Sequence, residues 1–436
     1  MINFQKELTR KQIRIIKNEI DIVLLSKNLT NDDSKIKEIG YLSTRVFINN
    51  NEFYFQNKSL NAIKRIVEII FKISGIRDFV SYNDIYQAVV RSIEKYLNNK
   101  KPLVEEYIDD LEAEILGKIK EFTFVCKIDG LVLKEVDQLP IGNFKIRKYE
   151  ESFIKDKSVF DIKTKNEINQ EFSNSLIIVG TTSGTFEVAQ AKYYHIAELT
   201  LSVLRLYSCA LYRRAVTNMN IRLINDCWMD YRPALCFGWE QGNDSIILSQ
   251  RLQSKQDIQV DGEFLDEISL NLFYVDLVNL IEKDKRTELE EAIVKSLYWI
   301  GEAQKENSYA SAWLKLWSCV ECYFALDKEE ITEKNAKGIT SILVYGGFQH
   351  EDYSDYKVVK KKVIEFYDMR SKIVHRAEYE NIDEKVLVEL SYMVSWMIIT
   401  MTSLLVKGYT TLLEIQEQAE KSEKLNLKSP VKKNIK

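Results

Sequence analysis

An arginine and a histidine five residues apart, Arg370 and His375 in the run FYDMRSKIVHRAEYE, are the side chains of this chain best suited to acid–base chemistry on an anion. An imidazole moves a proton near neutral pH, and a guanidinium keeps its charge at any pH and matches phosphate oxygens with its planar fork. Together they could cut RNA by letting its own 2′-hydroxyl attack the adjacent phosphorus, and neither step requires a metal. Lys372 and Arg376 keep positive charge close by, and the Ser371 hydroxyl can donate or accept a hydrogen bond there.

These side chains must be positioned by helices. Over residues 357–374, at 100° per residue, Val363, Phe366, Tyr367, Arg370 and Val374 share one stripe, and Lys357, Lys360, Lys361 and Lys362 precede most of it. A guanidinium on an apolar face needs a carboxylate, an interface or an anionic ligand, because its desolvation is costly unless hydrogen bonds replace its water. The spacing R-x4-H is by itself a weak signal. Its bland alternative is a salt-bridged Arg370 with His375 as a helix C-terminal residue favoured by the macrodipole. Upstream, residues 308–326 (SYASAWLKLWSCVECYFAL) place Trp313, Leu316, Trp317, Val320 and Phe324 on one helical face, with Glu321 at its edge. Glu321 either pairs with Arg370 across the bundle and orients it or is simply solvated.

The order of a Trp-rich helix, an Arg-to-His segment and a long apolar final helix resembles the HEPN superfamily, over roughly residues 285–410. The run FYDMRSKIVHRAEYE looks most like its ApeA-like branch. The resemblance implies an all-α bundle that dimerises, so that two copies of Arg370 and His375 form one composite ribonuclease site. It implies a metal-independent endoribonuclease without cofactor, acting on RNA in antiviral defence, abortive infection or as a toxin, and leaving cyclic phosphate ends. Arg370 and His375 would be catalytic, with Ser371, Glu321, Lys372 and Arg376 in support. The residue after the arginine is often Asn, Asp or His in that family and is Ser371 here. The alternative is a non-catalytic RNA- or protein-binding dimerisation module that uses the same residues for phosphate contact or dimer pairing.

At 436 residues the chain exceeds what one core usually supports, which favours two or three domains. Only 15 Gly and 4 Pro argue against a turn-dominated architecture. The expected class is mainly α with a smaller β component: an N-terminal α+β domain over 1–270, a helical bundle over 271–412 and a Lys-rich flexible tail over 413–436. In the first part, helical spacing of Ile63, Ile66, Val67, Ile70, Ile85, Val89 and Ile93 gives way to turn-broken strand patterns over 121–149 and 175–179, then to a helix over 187–212. Further strands are expected at 221–224, 234–239 and 245–248, and the polar stretch 257–267 reads as a linker or exposed edge. This part would sense a trigger, phage-derived or cellular. A net charge of −4 gives no global attraction to nucleic acid, so RNA contact must be local.

Scattered cysteines and an N-terminus without an apolar core predict reduced thiols in a cytoplasm. The nearly uncharged run 391–406 is short for a membrane span and reads as a buried helix, so no membrane partner is expected. Met393, Trp396, Met397 and Met401 with Leu390, Val394, Leu404 and Leu405 suit a helix buried by its own bundle and by a partner subunit. Cys319 and Cys322 form a lone C-x2-C in a helix, and His195 and His350 fit no metal-ligand spacing, so no metal site is expected. Gly180–Gly184 and Gly346-Gly347 lack the Gly-Lys-Ser/Thr of a P-loop and read as turns.

Overall fold

Thr9 opens the first long helix with a capping box closed by Gln12, one of the local signals that make this chain mainly α, 67% helical with a smaller sheet component. The computed structural model describes residues 3–25, 29–32, 45–48, 51–99, 104–156, 161–224, 234–239, 246–251, 256–325, 330–348 and 350–428. The chain divides into two units: 1–124 with 181–194, and 125–180 with 195–436.

In the first unit, helices α1 (Phe4–Glu7), α2 (Arg10–Leu24), α3 (Asn57–Phe71), α4 (Tyr82–Asn99) and α5 (Val104–Gly117) accompany a small antiparallel sheet. Its strands β1 (Leu29–Thr30), β2 (Arg45–Ile48) and β3 (Asn51–Phe55) run in the order β1-β3-β2, a sheet the sequence reading passed over. Ile63, Ile66, Val67 and Ile70 of α3 and Ile85, Val89 and Ile93 of α4 are buried together, as their spacing predicted.

The second unit holds most of a five-stranded sheet, ordered β6-β7-β8-β4-β9, from β4 (Lys120–Asp129), β6 (Gln138–Ile141), β7 (Phe144–Lys148), β8 (Leu176–Gly184) and β9 (Arg222–Leu223). β5 (Leu131–Leu133) pairs in parallel with β12 (Ile258–Val260), and β10 (Ala234–Trp239) pairs with β11 (Ile246–Arg251). The helices are α6 (Ser152–Lys155), α7 (Ile162–Phe172), α8 (Phe186–Tyr212, which belongs to this unit from residue 195), α9 (Gly262–Asn271), α10 (Tyr274–Glu282), α11 (Glu288–Gln304), α12 (Tyr309–Phe324), α13 (Ile331–Tyr345), α14 (Tyr356–Arg376), α15 (Glu384–Val406) and α16 (Leu412–Lys428).

Four expectations are corrected. Residue 270 is not a boundary: the sheet and the bundle share a unit, tied by Tyr274 Oη donating to the Pro140 carbonyl (3.0 Å), Gln304 Nε2 to the Met219 carbonyl (2.8 Å) and the Val216 N–H to Ser391 Oγ (3.2 Å). The stretch 257–267 is no linker, because Ile258 and Val260 are fully buried in β12 and Asp261 caps α9. Residues 413–428 of the expected tail belong to α16, which buries Leu412, Ile415, Ala419 and Ser422; 429–436 lie outside the described residues. Finally, α15 needs no partner subunit to cover it. It runs for 23 residues, long and apolar enough to cross a membrane by length and composition. Yet 72% of that apolar window is buried inside the chain, with α11, α12 and α13 packed around it.

Candidate active site

The Ser308 hydroxyl accepts the Ser311 N–H to start α12, which then buries Trp313, Leu316, Trp317, Val320 and Phe324 on the expected face. The buried side of α14 answers with Val359, Val363, Phe366 and Tyr367. Two edge-on ring pairs fix the register of these helices: Trp313 with Phe366 at 5.1 Å and Trp317 with Tyr367 at 5.0 Å between centroids. About one turn beyond the Trp317–Tyr367 pair, Glu321 meets Arg370. Nη2 of Arg370 lies 3.0 Å from Oε1 of Glu321 and donates to Oε2 at 3.3 Å.

Tyr367, which the sequence reading placed on the stripe but gave no role, completes this cluster. Its hydroxyl donates to Glu321 Oε1 at 3.5 Å, and the Arg370 guanidinium stands 5.6 Å from its ring centre. Burial and the nearby Glu321 carboxylate raise the Tyr367 phenol above its ordinary range against the opposing pull of Arg370, so it remains a donor. The side chains of Arg370 and Glu321 are 25% and 24% exposed, which puts the ion pair at the edge of the α12–α14 contact rather than in the core. Among the described residues no protein acceptor engages the remaining Arg370 nitrogens.

His375 is exposed in the last turn of α14. The helix continues unbroken to Arg376 and is closed by Ala377 at φ 55, whose N–H donates to the Ile373 and Lys372 carbonyls. Five residues of uninterrupted α-helix separate Arg370 from His375, which sets them about 140° apart around the axis and about 7.5 Å along it. One chain therefore does not bring the two onto one phosphate. Val374, expected on the buried stripe, is 49% exposed.

The supporting residues lie close by, but each cation carries its own acid: Lys372 Nζ is 2.6 Å from Asp368 and Arg376 is 3.9 Å from Glu378. Ser371 is half-buried beside Arg370. The lysine run upstream is similarly tied down. Lys360 pairs with Glu333 and Glu423, Lys361 with Glu365 and Lys362 with Glu389, leaving Lys357 without an ion pair among the described residues.

A cleft of about 250 Å³ opens beside the site, lined by Glu365, Asp368, Met369 and Lys372 of α14 and by Glu378, Asn381 and Ile382 of the following loop. It includes neither Arg370 nor His375. The helical half of its lining shows in the three- and four-residue spacing; nothing in the sequence signals that the loop folds back. On α12 itself, burial raises the thiols of Cys319 and Cys322. Burial and the neighbouring Arg286 lower His195. The chain matches no protein-family model, no curated protein and no solved structure.

Proposed function

We propose that this chain is a HEPN-type, metal-independent endoribonuclease whose site is assembled from two copies. Arg370 of one copy holds the scissile phosphate, and His375 of the other takes the 2′-hydroxyl proton as the 2′-oxygen attacks phosphorus. The imidazolium so formed returns a proton to the departing 5′-oxygen, leaving a cyclic phosphate and a 5′-hydroxyl. Glu321 and Tyr367 position Arg370, while Ser371, Lys372 and Arg376 border the strand. A growth-arresting role in cytoplasmic antiviral defence or as a toxin, with the N-terminal part sensing a trigger, belongs to the same reading.

The observation that carries it is the state of Arg370: anchored through Nη2 alone, a quarter exposed, five residues before an exposed imidazole. The angle between Arg370 and His375 makes a second copy a requirement of the chemistry. Arg370→Ala and His375→Ala should each abolish RNA cleavage and toxicity in a folded protein. Mixing the two inactive variants should restore about a quarter of wild-type activity, since random pairing makes half the dimers mixed and each mixed dimer keeps one of the two Arg370–His375 pairs that join the copies. Cleavage that survives both single substitutions would refute the reading.

A second reading, a non-catalytic RNA- or protein-binding module, is favoured by the near-neutral charge of the site, where each flanking cation has a carboxylate of its own. It predicts RNA retention without new cyclic phosphate ends.

A further inference from the structure

Five rings from three segments of the second unit converge at a place unconnected with Arg370. Phe273 precedes α10, Phe348 and His350 follow α13, and Tyr392 and Trp396 lie on α15. His350 is 3.8 Å from Trp396 and 5.7 Å from Phe348 between ring centres, and Phe348 in turn meets Phe273 at 6.2 Å. Because Lys362 in the first half of α14 pairs with Glu389 of α15, this cluster lies toward the start of α14 and away from His375.

Three observations separate the cluster from ordinary core. His350 Nε2 and Trp396 Nε1 are buried with no hydrogen-bond partner among the described residues, whereas buried polar atoms are nearly always satisfied. Two side chains that touch the cluster sit on left-handed backbone that non-glycine residues seldom adopt: Phe273 at φ 59 and Arg213 at φ 50. An exposed cation without a carboxylate partner among the described residues flanks it: the Arg213 guanidinium stands 4.8 Å over the Tyr392 ring.

Partly exposed rings that can stack a planar base, a ring N–H and an imidazole nitrogen without partners, and an unpaired cation make one chemical demand. We propose that this cluster binds a nucleotide, its base against Phe348, His350 and Tyr392 beside Trp396 and its phosphate at Arg213. The site does not depend on the ribonuclease reading, and it accepts either a free nucleotide or a nucleotide within a single strand.

The test uses the full chain carrying Arg370→Ala, so that no strand is cut and the other phosphate contact is removed. AMP, UMP and a single-stranded oligoribonucleotide are titrated by calorimetry. Saturable binding is expected, weakened about tenfold by Arg213→Gly and several-fold by Trp396→Phe, which keeps the ring and removes the N–H. Arg213→Gly relieves the left-handed backbone, so its melting temperature should not fall, and lost binding cannot then be assigned to unfolding. Mononucleotide binding that both substitutions weaken identifies a free nucleotide. Binding of the oligoribonucleotide alone, weakened in the same way, identifies a base within a strand. No binding of any probe, or binding indifferent to both substitutions, overturns the proposal.

Discussion

Glu321 is the residue whose removal separates a positioned Arg370 from one merely stored in a salt bridge. The pair spans 3.0 Å between heavy atoms, with a quarter of each side chain exposed. At about 4 Å between charge centres and an effective dielectric of about 20, the attraction is about 4 kcal/mol. Desolvation, side-chain ordering and solvent screening remove most of that, leaving a net coupling of about 1–2 kcal/mol. A double-mutant cycle of Glu321→Ala and Arg370→Ala, read by denaturant unfolding, should return this coupling. In a cleavage assay on labelled RNA, Glu321→Ala should lower kcat by about 10- to 100-fold with little change in KM, because a guanidinium freed from its anchor loses orientation rather than charge. Glu321→Gln keeps an acceptor for Nη2 and should fall between the two. A coupling near zero would show that the pair does not form in solution. Unchanged cleavage in Glu321→Ala would remove the positioning role, and faster cleavage in Glu321→Gln would mean that the carboxylate masks the arginine instead of aiming it.

Ala377 closes α14 at φ 55, a conformation glycine adopts without penalty, so Ala377→Gly should stabilise the chain by about 1 kcal/mol in denaturant unfolding. Burial lowers the His350 imidazole from the ordinary 6.5 to about 4, so the folded state needs it neutral. Stability from this group should be intact above pH 6.5 and fall by roughly 2–3 kcal/mol as pH drops through the window down to about 4, a dependence His350→Phe should flatten. A Cβ on Gly338 would come within 2.4 Å of the Phe324 ring at the end of α12, so Gly338→Ala should destabilise the bundle by about 1–3 kcal/mol, measurable as a lower unfolding midpoint.

The helices around the site were legible because their apolar residues repeat at helical spacing. The expected 308–326 and 357–374 became Tyr309–Phe324 and Tyr356–Arg376. The salt bridge was legible as one of two alternatives, since Glu321 lies one turn past Trp317 and Arg370 nearly one turn past Tyr367. The exposure of Val374 was not. Trp313 meets Phe366, Trp317 meets Tyr367 and Glu321 meets Arg370, so Val374 falls where α12 has already ended at Phe324 and no groove remains to cover it. Long-range pairing defeated local reading elsewhere. Ile258 and Val260 sit in a short run too polar around them to announce a strand, and their parallel partners Leu131 and Leu133 lie far back in the sequence. In α16 the abundant Lys and Glu hid the period of Leu412, Ile415, Ala419 and Ser422, although that spacing is helical.

A guanidinium on an apolar stripe demands a partner, and Glu321 meets that demand without any ligand. The place of Arg370 on the apolar stripe thus stops being an argument for catalysis. What takes its place is how the fork is used. A guanidinium recruited only for structure tends to engage a carboxylate through two nitrogens; here Nη2 alone serves both oxygens of Glu321, at 3.0 and 3.3 Å. The other donors have no protein acceptor among the described residues, while Tyr367 braces the carboxylate from its own side. The surrounding cations are each offset by an acid, so the site of a single chain carries little net positive field to draw a polyanion. Under the proposed ribonuclease reading, pairing two chains doubles the aimed donors and brings an imidazole to the face that Arg370 commands. Under the ribonuclease reading, activity should therefore rise more steeply than protein concentration over the range in which the dimer forms.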